Sequence, residues 1–89
     1  MTGVTVHIPT PLRSYTERQS TVQVEGATLE EILAEMDRRY PGLRFRIINE
    51  QNELREHIKV FVNQQAVPDL SAALHPGDDV RIITAISGG

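Results

Sequence analysis

The chain ends Ile86-Ser87-Gly88-Gly89, and the free α-carboxylate of Gly89 is the one unusual reactive group its residue types offer. Glycine has no Cβ, so such a tail can thread a narrow channel and take backbone angles barred to other residues. At ordinary usage of about 7%, two terminal glycines would arise by chance in only ~0.5% of chains. A frayed end is the plain alternative. The other reactive side chains make no constellation. His7, His57 and His75 fall on different elements without metal-ligand spacing, and no cysteine accompanies them, so no metal site is expected. The four serines and four aspartates occur without a G-x-S-x-G elbow, which leaves a hydrolase without support. Gly26, Gly42 and Gly77 are isolated turn glycines, so the chain carries neither a P-loop nor a dinucleotide fingerprint, and binding of ATP by this chain alone is not expected. Arg38, Arg39, Arg44 and Arg46 could be read as a phosphate patch. The first two suit a helix C-terminus, however, and the second two the solvated side of a strand.

The body that must hold out this tail is small: 89 residues and 10.0 kDa leave room for one core. Apolar residues are 39% and charged ones 24%, a globular balance rather than a disordered one. A net charge of −3 argues against gripping phosphate backbones, so nucleic acid is not an expected partner. Stretches such as Val60-Phe61-Val62 and Ile82-Ile83 fall far short of the roughly 20 apolar residues of a membrane span. No signal-peptide pattern opens the chain, and a cytoplasmic location is expected. With no cysteine, disulfides, thiolate metal ligands and thiol nucleophiles are excluded. Val and Ile make up sixteen of the 35 apolar residues, which favours strands over a helical bundle.

Val4, Val6 and Ile8 alternate with polar residues as a half-buried strand requires, and after Pro9, Pro11 and a polar run Val22 and Val24 resume the alternation as the second arm of a hairpin. Thr28 and Glu31 have the spacing of a capping box, predicting a helix from Leu29. Leu29, Ile32, Leu33, Met36 and Tyr40 form one stripe on it, and Pro41-Gly42 ends it. Leu43, Phe45 and Ile47 alternate with arginines, predicting a short extended segment before a polar loop over 49–56. Ile58, Val60 and Val62 give the next strand, and Asn63-Gln64-Gln65 turns the chain. Val67 and Leu70 suit a short edge piece. Pro76-Gly77 fits a type II turn, from which Val80 and Ile82 begin a last strand running toward the end. The order β, β, helix, β, β predicts an α+β fold, a sheet with one helix across a single face.

With these elements in place the chain resembles the ubiquitin-like β-grasp sulfur carriers, which include the small subunit of molybdopterin synthase and the thiamin sulfur carrier. Within that family it is most similar to the subgroup serving cysteine biosynthesis. The likeness runs through Ile8-Pro9-Thr10-Pro11-Leu12-Arg13, Tyr40-Pro41-Gly42-Leu43-Arg44, Val60-Phe61-Val62-Asn63 and Pro76-Gly77-Asp78-Asp79-Val80, leading to Gly88-Gly89. The resemblance implies a mixed sheet of four to five strands with one main helix, a β-grasp domain over 1–85 and a flexible tail over 86–89. It also implies a cycle at Gly89, with Ile86, Ser87 and Gly88 as the recognised tail. An E1-like adenylating enzyme, using ATP, joins the carboxylate to AMP, and sulfur then displaces AMP to leave a thiocarboxylate. A pyridoxal-phosphate enzyme related to cysteine synthases accepts the sulfur, and a zinc peptidase later frees cysteine. The chain itself would then have no catalytic residue and bind no cofactor. Alternatives within the resemblance are a permanent synthase subunit and a ubiquitin-like modifier, for which Lys59, the only lysine, would be the sole side-chain site for self-chains.

If Val80 and Ile82 face the helix, Arg81 and Ile83 lie on the open face of the sheet, where Phe61 also points. These three residues form the expected partner-docking surface.

Overall fold

In the computed structural model, residues 3–84 are described; the expected boundary at 85/86 and the tail Ile86 to Gly89 lie outside them. Strand β1 (Gly3–His7) buries Val4 and Val6 and pairs antiparallel with β2 (Thr21–Glu25), Val4 facing Val24 and Val6 facing Val22. Between them Pro9 leads into a single 3₁₀ turn, Thr10–Leu12. Helix α1 (Leu29–Arg39) is N-capped by Thr28, whose hydroxyl accepts from the Glu31 N–H at 3.2 Å. The Glu31 carboxylate reaches back to the Ala27 N–H at 2.9 Å, one residue before the cap. Leu29, Ile32, Leu33 and Met36 are fully buried, as the stripe requires.

The segment after Gly42 is a helix, α2 (Leu43–Ile47), and not the extended piece its alternation suggests. Leu43 and Ile47 are four apart and both fully buried, which one helical turn achieves and a five-residue strand would also mimic. Two features decide for the helix. Gly42 takes φ 95°, a left-handed turn open to glycine, and the Asp37 carboxylate accepts from the N–H groups of Gly42 (3.0 Å) and Arg44 (3.2 Å). Phe45, midway along α2, is therefore turned out and 57% exposed, and Arg44 and Arg46 sit on a helix instead of a strand.

Strand β3 (Ile58–Val62) and β4 (Gln65–Val67) form a hairpin whose two loop residues, Asn63 (φ 50°) and Gln64 (φ 73°), are both left-handed, as a type I′ turn demands. Leu70 is buried beyond the end of β4 rather than within it. The Asp78 N–H bonds to the His75 carbonyl at 3.0 Å across Pro76-Gly77, with Gly77 at φ 89°, giving the expected turn into β5 (Asp79–Thr84). The sheet has five strands in the order β2-β1-β5-β3-β4, with β5 parallel to β1 and antiparallel to β3. Val80 and Ile82 are buried on the face that α1 covers. Among the described residues no helix is long and apolar enough to cross a membrane.

Candidate functional site

Strand β5 is the middle strand of the sheet and the last described element, so its geometry fixes the far end of the described chain. Its start is clamped. Asn63 donates its backbone N–H to the Asp79 carbonyl (2.8 Å), accepts from the Asp79 N–H through Oδ1 (3.0 Å) and donates from Nδ2 to Asp78 Oδ1 (2.9 Å). The second Asp78 oxygen accepts from the His75 N–H at 2.8 Å. The Asn63 side chain first, then this backbone donor, hold the Asp78 carboxyl below its usual range. From the β1 side Thr5 N–H meets the Asp78 carbonyl at 3.1 Å, and the His7 ring bonds to the Asp79 carboxylate.

At its far end β5 is held on one side only. Ile58 of β3 still pairs with Thr84, but the β1 ladder stops at His7 opposite Arg81. Asp79 directs its backbone groups at β3, so by alternation along the strand Ile82 and Thr84 direct theirs at the β1 side. In the register by which Thr5 serves Asp78, the residue in line for the Ile82 carbonyl is Pro9, which has no N–H. The chain turns away there, held by the Ile8 N–H to the Ser20 carbonyl (2.8 Å) and by Arg13 Nε to the Ile8 carbonyl (3.0 Å). A groove of about 520 Å³ results, with Pro9, Thr10, Pro11 and Arg13 on one wall and Arg81 to Thr84 on the other. The proline segment, read in the sequence as a strand breaker and as part of the family likeness, thus borders the far end of β5. The missed signal was that its prolines fall where a parallel neighbour of β5 would have to donate.

On the open face, the structure brings Phe61, Arg81 and Ile83 together around a shallow depression of about 280 Å³ completed by Gln64. Phe61 and Arg81 are a direct cross-strand pair, and Ile83 lies opposite Lys59. Ile83 is 39% exposed, whereas Phe61 is half-buried, so the apolar contribution available to a partner is weighted toward Ile83. Arg81 lies 3.8 Å from the Asp79 carboxylate. The tail residues Ile86, Ser87, Gly88 and Gly89 lie outside the described residues. The histidines stay apart: His7 on Asp79, His75 in the turn beside Asp78, and His57 next to Phe45. Among the described residues no three His, Asp or Glu side chains gather as metal ligands.

A five-stranded mixed sheet gripping one main helix, with its final strand central, defines a ubiquitin-like β-grasp protein. Comparison with known proteins agrees. The model of the ThiS family matches residues 6–89. Sulfur carrier protein CysO of Mycobacterium tuberculosis is 33% identical over 98% of this chain and 99% of its own length. Among solved structures, a chain of the Amycolatopsis orientalis BexX/CysO complex superposes with a TM-score of 0.90 at 37% identity, covering 97% of this chain and 99% of that one. The crystal structure of Mycobacterium tuberculosis CysO gives 0.88 at 32% identity over 93% and 99%. Small archaeal modifier protein 1 of Haloferax volcanii gives 0.82 at 27% identity over 98% and 99%. The chain belongs to the ThiS family, the β-grasp sulfur-carrier family its sequence resembles.

Proposed function

We propose that this protein is a sulfur carrier whose reactive group is the C-terminal carboxylate of Gly89. The observation that carries the reading is its full-length similarity to sulfur carrier protein CysO, with the terminal Gly88-Gly89 falling inside the matched family region. In this reading residues 1–85 are the folded body and 86–89 the tail, and the chain is a protein cosubstrate without catalytic residues. A bare carboxylate is a poor electrophile. On an E1-like enzyme the carboxylate attacks the α-phosphorus of ATP and expels pyrophosphate, giving a mixed anhydride with a good leaving group; attack of a sulfide-level sulfur donor on its carbonyl carbon then expels AMP and leaves the thiocarboxylate. Its nucleophilic sulfur then passes to an acceptor, a pyridoxal-phosphate enzyme in cysteine biosynthesis, with a zinc peptidase completing release of the amino acid. ATP and pyridoxal phosphate belong to those partners, and the cytoplasm is their setting.

The described residues support a passive role with a fixed exit. Hydrogen bonds clamp the start of β5, β3 supports it to Thr84, and the groove by Pro9 leaves its β1 side open to a partner. Phe61, Arg81 and Ile83 supply the docking surface beside the same strand. A second reading, a protein modifier joined through Gly89, draws on the likeness to small archaeal modifier protein 1. Incubation with an adenylating enzyme, ATP and a sulfur donor separates the two: carriage gives oxygen-to-sulfur exchange at Gly89, whereas modification gives conjugates to lysines of other proteins.

A further inference from the structure

Phe45, Arg46, Arg55 and His57 line a small concavity of about 190 Å³ that the carrier reading does not use. Phe45 has the greatest exposure among the large hydrophobic residues described, at 57%. Arg55 places its guanidinium carbon 4.8 Å from the Phe45 ring centroid and ties its Nε to the Phe45 carbonyl at 2.8 Å. Arg46 lies 5.6 Å from the Tyr15 ring centroid and donates its Nε to the Tyr15 hydroxyl. Stacking on Phe45 plus its Nε bond orients the Arg55 guanidinium, the Nε bond to the Tyr15 hydroxyl orients that of Arg46, and among the described residues the terminal nitrogens of both have no hydrogen-bond partner, so less rotamer entropy remains to be lost when an oxyanion binds. Although the chain is acidic overall, the arginine ion pairs among the described residues involve Arg38, Arg39, Arg44 and Arg81, not these two.

The position matters as much as the charge. His57 precedes Ile58, which pairs with Thr84, so the concavity lies at the end of the sheet from which the tail leaves. A protein that takes hold of the tail must pass this end. We propose that Phe45, Arg46, Arg55 and His57 form a docking site for a carboxylate-bearing segment of the protein that grips the tail. Paired acidic side chains would meet the two guanidinium forks, and the Phe45 ring would meet their apolar stems. The proposal rests on the carrier reading only for the partner's role.

The full chain, labelled with ¹⁵N, is titrated with an oligoglutamate peptide and followed by NMR at the arginine Nε–H groups. Saturable shifts at Arg46 and Arg55, with Phe45 and His57 amides moving alongside, are expected. They should weaken about tenfold or more between low and high salt, since exposed charge pairs are screened. Read at the Phe45 and His57 amides, which every variant keeps, the shifts should be lost in the double variant Arg46→Gln/Arg55→Gln and be only partly restored by Arg→Lys at both positions, because an ammonium cannot reproduce the guanidinium fork. Circular dichroism melting checks that the variants fold. Shifts spread equally over Arg13, Arg18 and Arg81, or unaltered in the double variant, would overturn the site. In the second arm, adenylation of the chain at low salt should show a KM raised about tenfold in the double variant with kcat unchanged, as loss of two charge contacts implies. An unchanged KM with normal product overturns the docking role while leaving the carrier reading standing. Absence of product from the unaltered chain sinks the carrier reading, and the peptide titration alone then decides the site.

Discussion

Replacing Ile83 by alanine tests whether the open face beside β5 docks the activating enzyme. Ile83 retains 39% of its surface in the free protein. Fully burying an isoleucine side chain contributes about 1.5–3 kcal/mol, so covering the remaining fraction contributes about 0.6–1.2 kcal/mol, or a factor of about 3 to 7 in affinity. The side chain faces away from α1 and lies opposite Lys59, so its truncation should cost the fold no more than about 0.5–1 kcal/mol. Titration calorimetry against the adenylating enzyme reads the effect directly. The expected result is a Kd raised by that factor and a kcat for adenylation that does not move, because Gly89 lies six residues further on. Phe61→Asp should weaken binding more, since it places a charge in the same contact, but half-burial of Phe61 makes that variant less stable as well. An unchanged Kd for Ile83→Ala, with the melting temperature retained, would refute the docking face.

Asp37→Ala should remove the two bonds that start α2 and cost about 1–2 kcal/mol in urea denaturation, while Asp37→Asn should restore part of this through its amide oxygen. Thr28→Ala should cost about 1 kcal/mol by the same measurement, the usual loss for an N-cap. Asp78 has a folded pKa depressed by Asn63 and the His75 N–H, so between its folded and unfolded values the unfolded chain binds more protons and stability rises with pH. Its contribution is therefore present above about pH 4 and lost as pH falls through the folded value; the gap in melting temperature between wild type and Asp78→Asn should close under acid. Gly42→Ala forces a side chain to φ 95° and should cost about 1–2 kcal/mol, seen as a lowered melting temperature.

The elements with a local physical signature were legible in the sequence. Thr28 and Glu31 mark the start of α1, its stripe is fully buried from Leu29 to Met36 while Tyr40 is the half-buried C-cap, and Val80 and Ile82 face inward from β5 as their alternation requires. Segment 43–47 was not legible as a helix because Leu43, Phe45 and Ile47 satisfy a period of two over five residues, while the deciding acceptor, Asp37, sits on the preceding helix. Thr16 is fully buried within a polar loop, its hydroxyl donating to the Arg13 and Gln19 carbonyls, and composition alone would have left it in solvent. The groove beside the far end of β5 was hidden for a different reason. It depends on β1 lying parallel to β5, residues more than seventy positions apart, and only that register gives the missing N–H of Pro9 its meaning. The terminal glycines lie outside the described residues, and the chemistry proposed for them rests on residue type and position.

The proposed chemistry exchanges one atom of Gly89, and intact mass spectrometry reads that exchange directly. The purified chain is incubated with an adenylating enzyme that converts a recognised carrier, together with ATP and a sulfur donor. The expected result is exchange of one oxygen for sulfur, located in the C-terminal fragment and lost when Gly89 is deleted. A chain that remains the free acid while the control carrier is converted would contradict it.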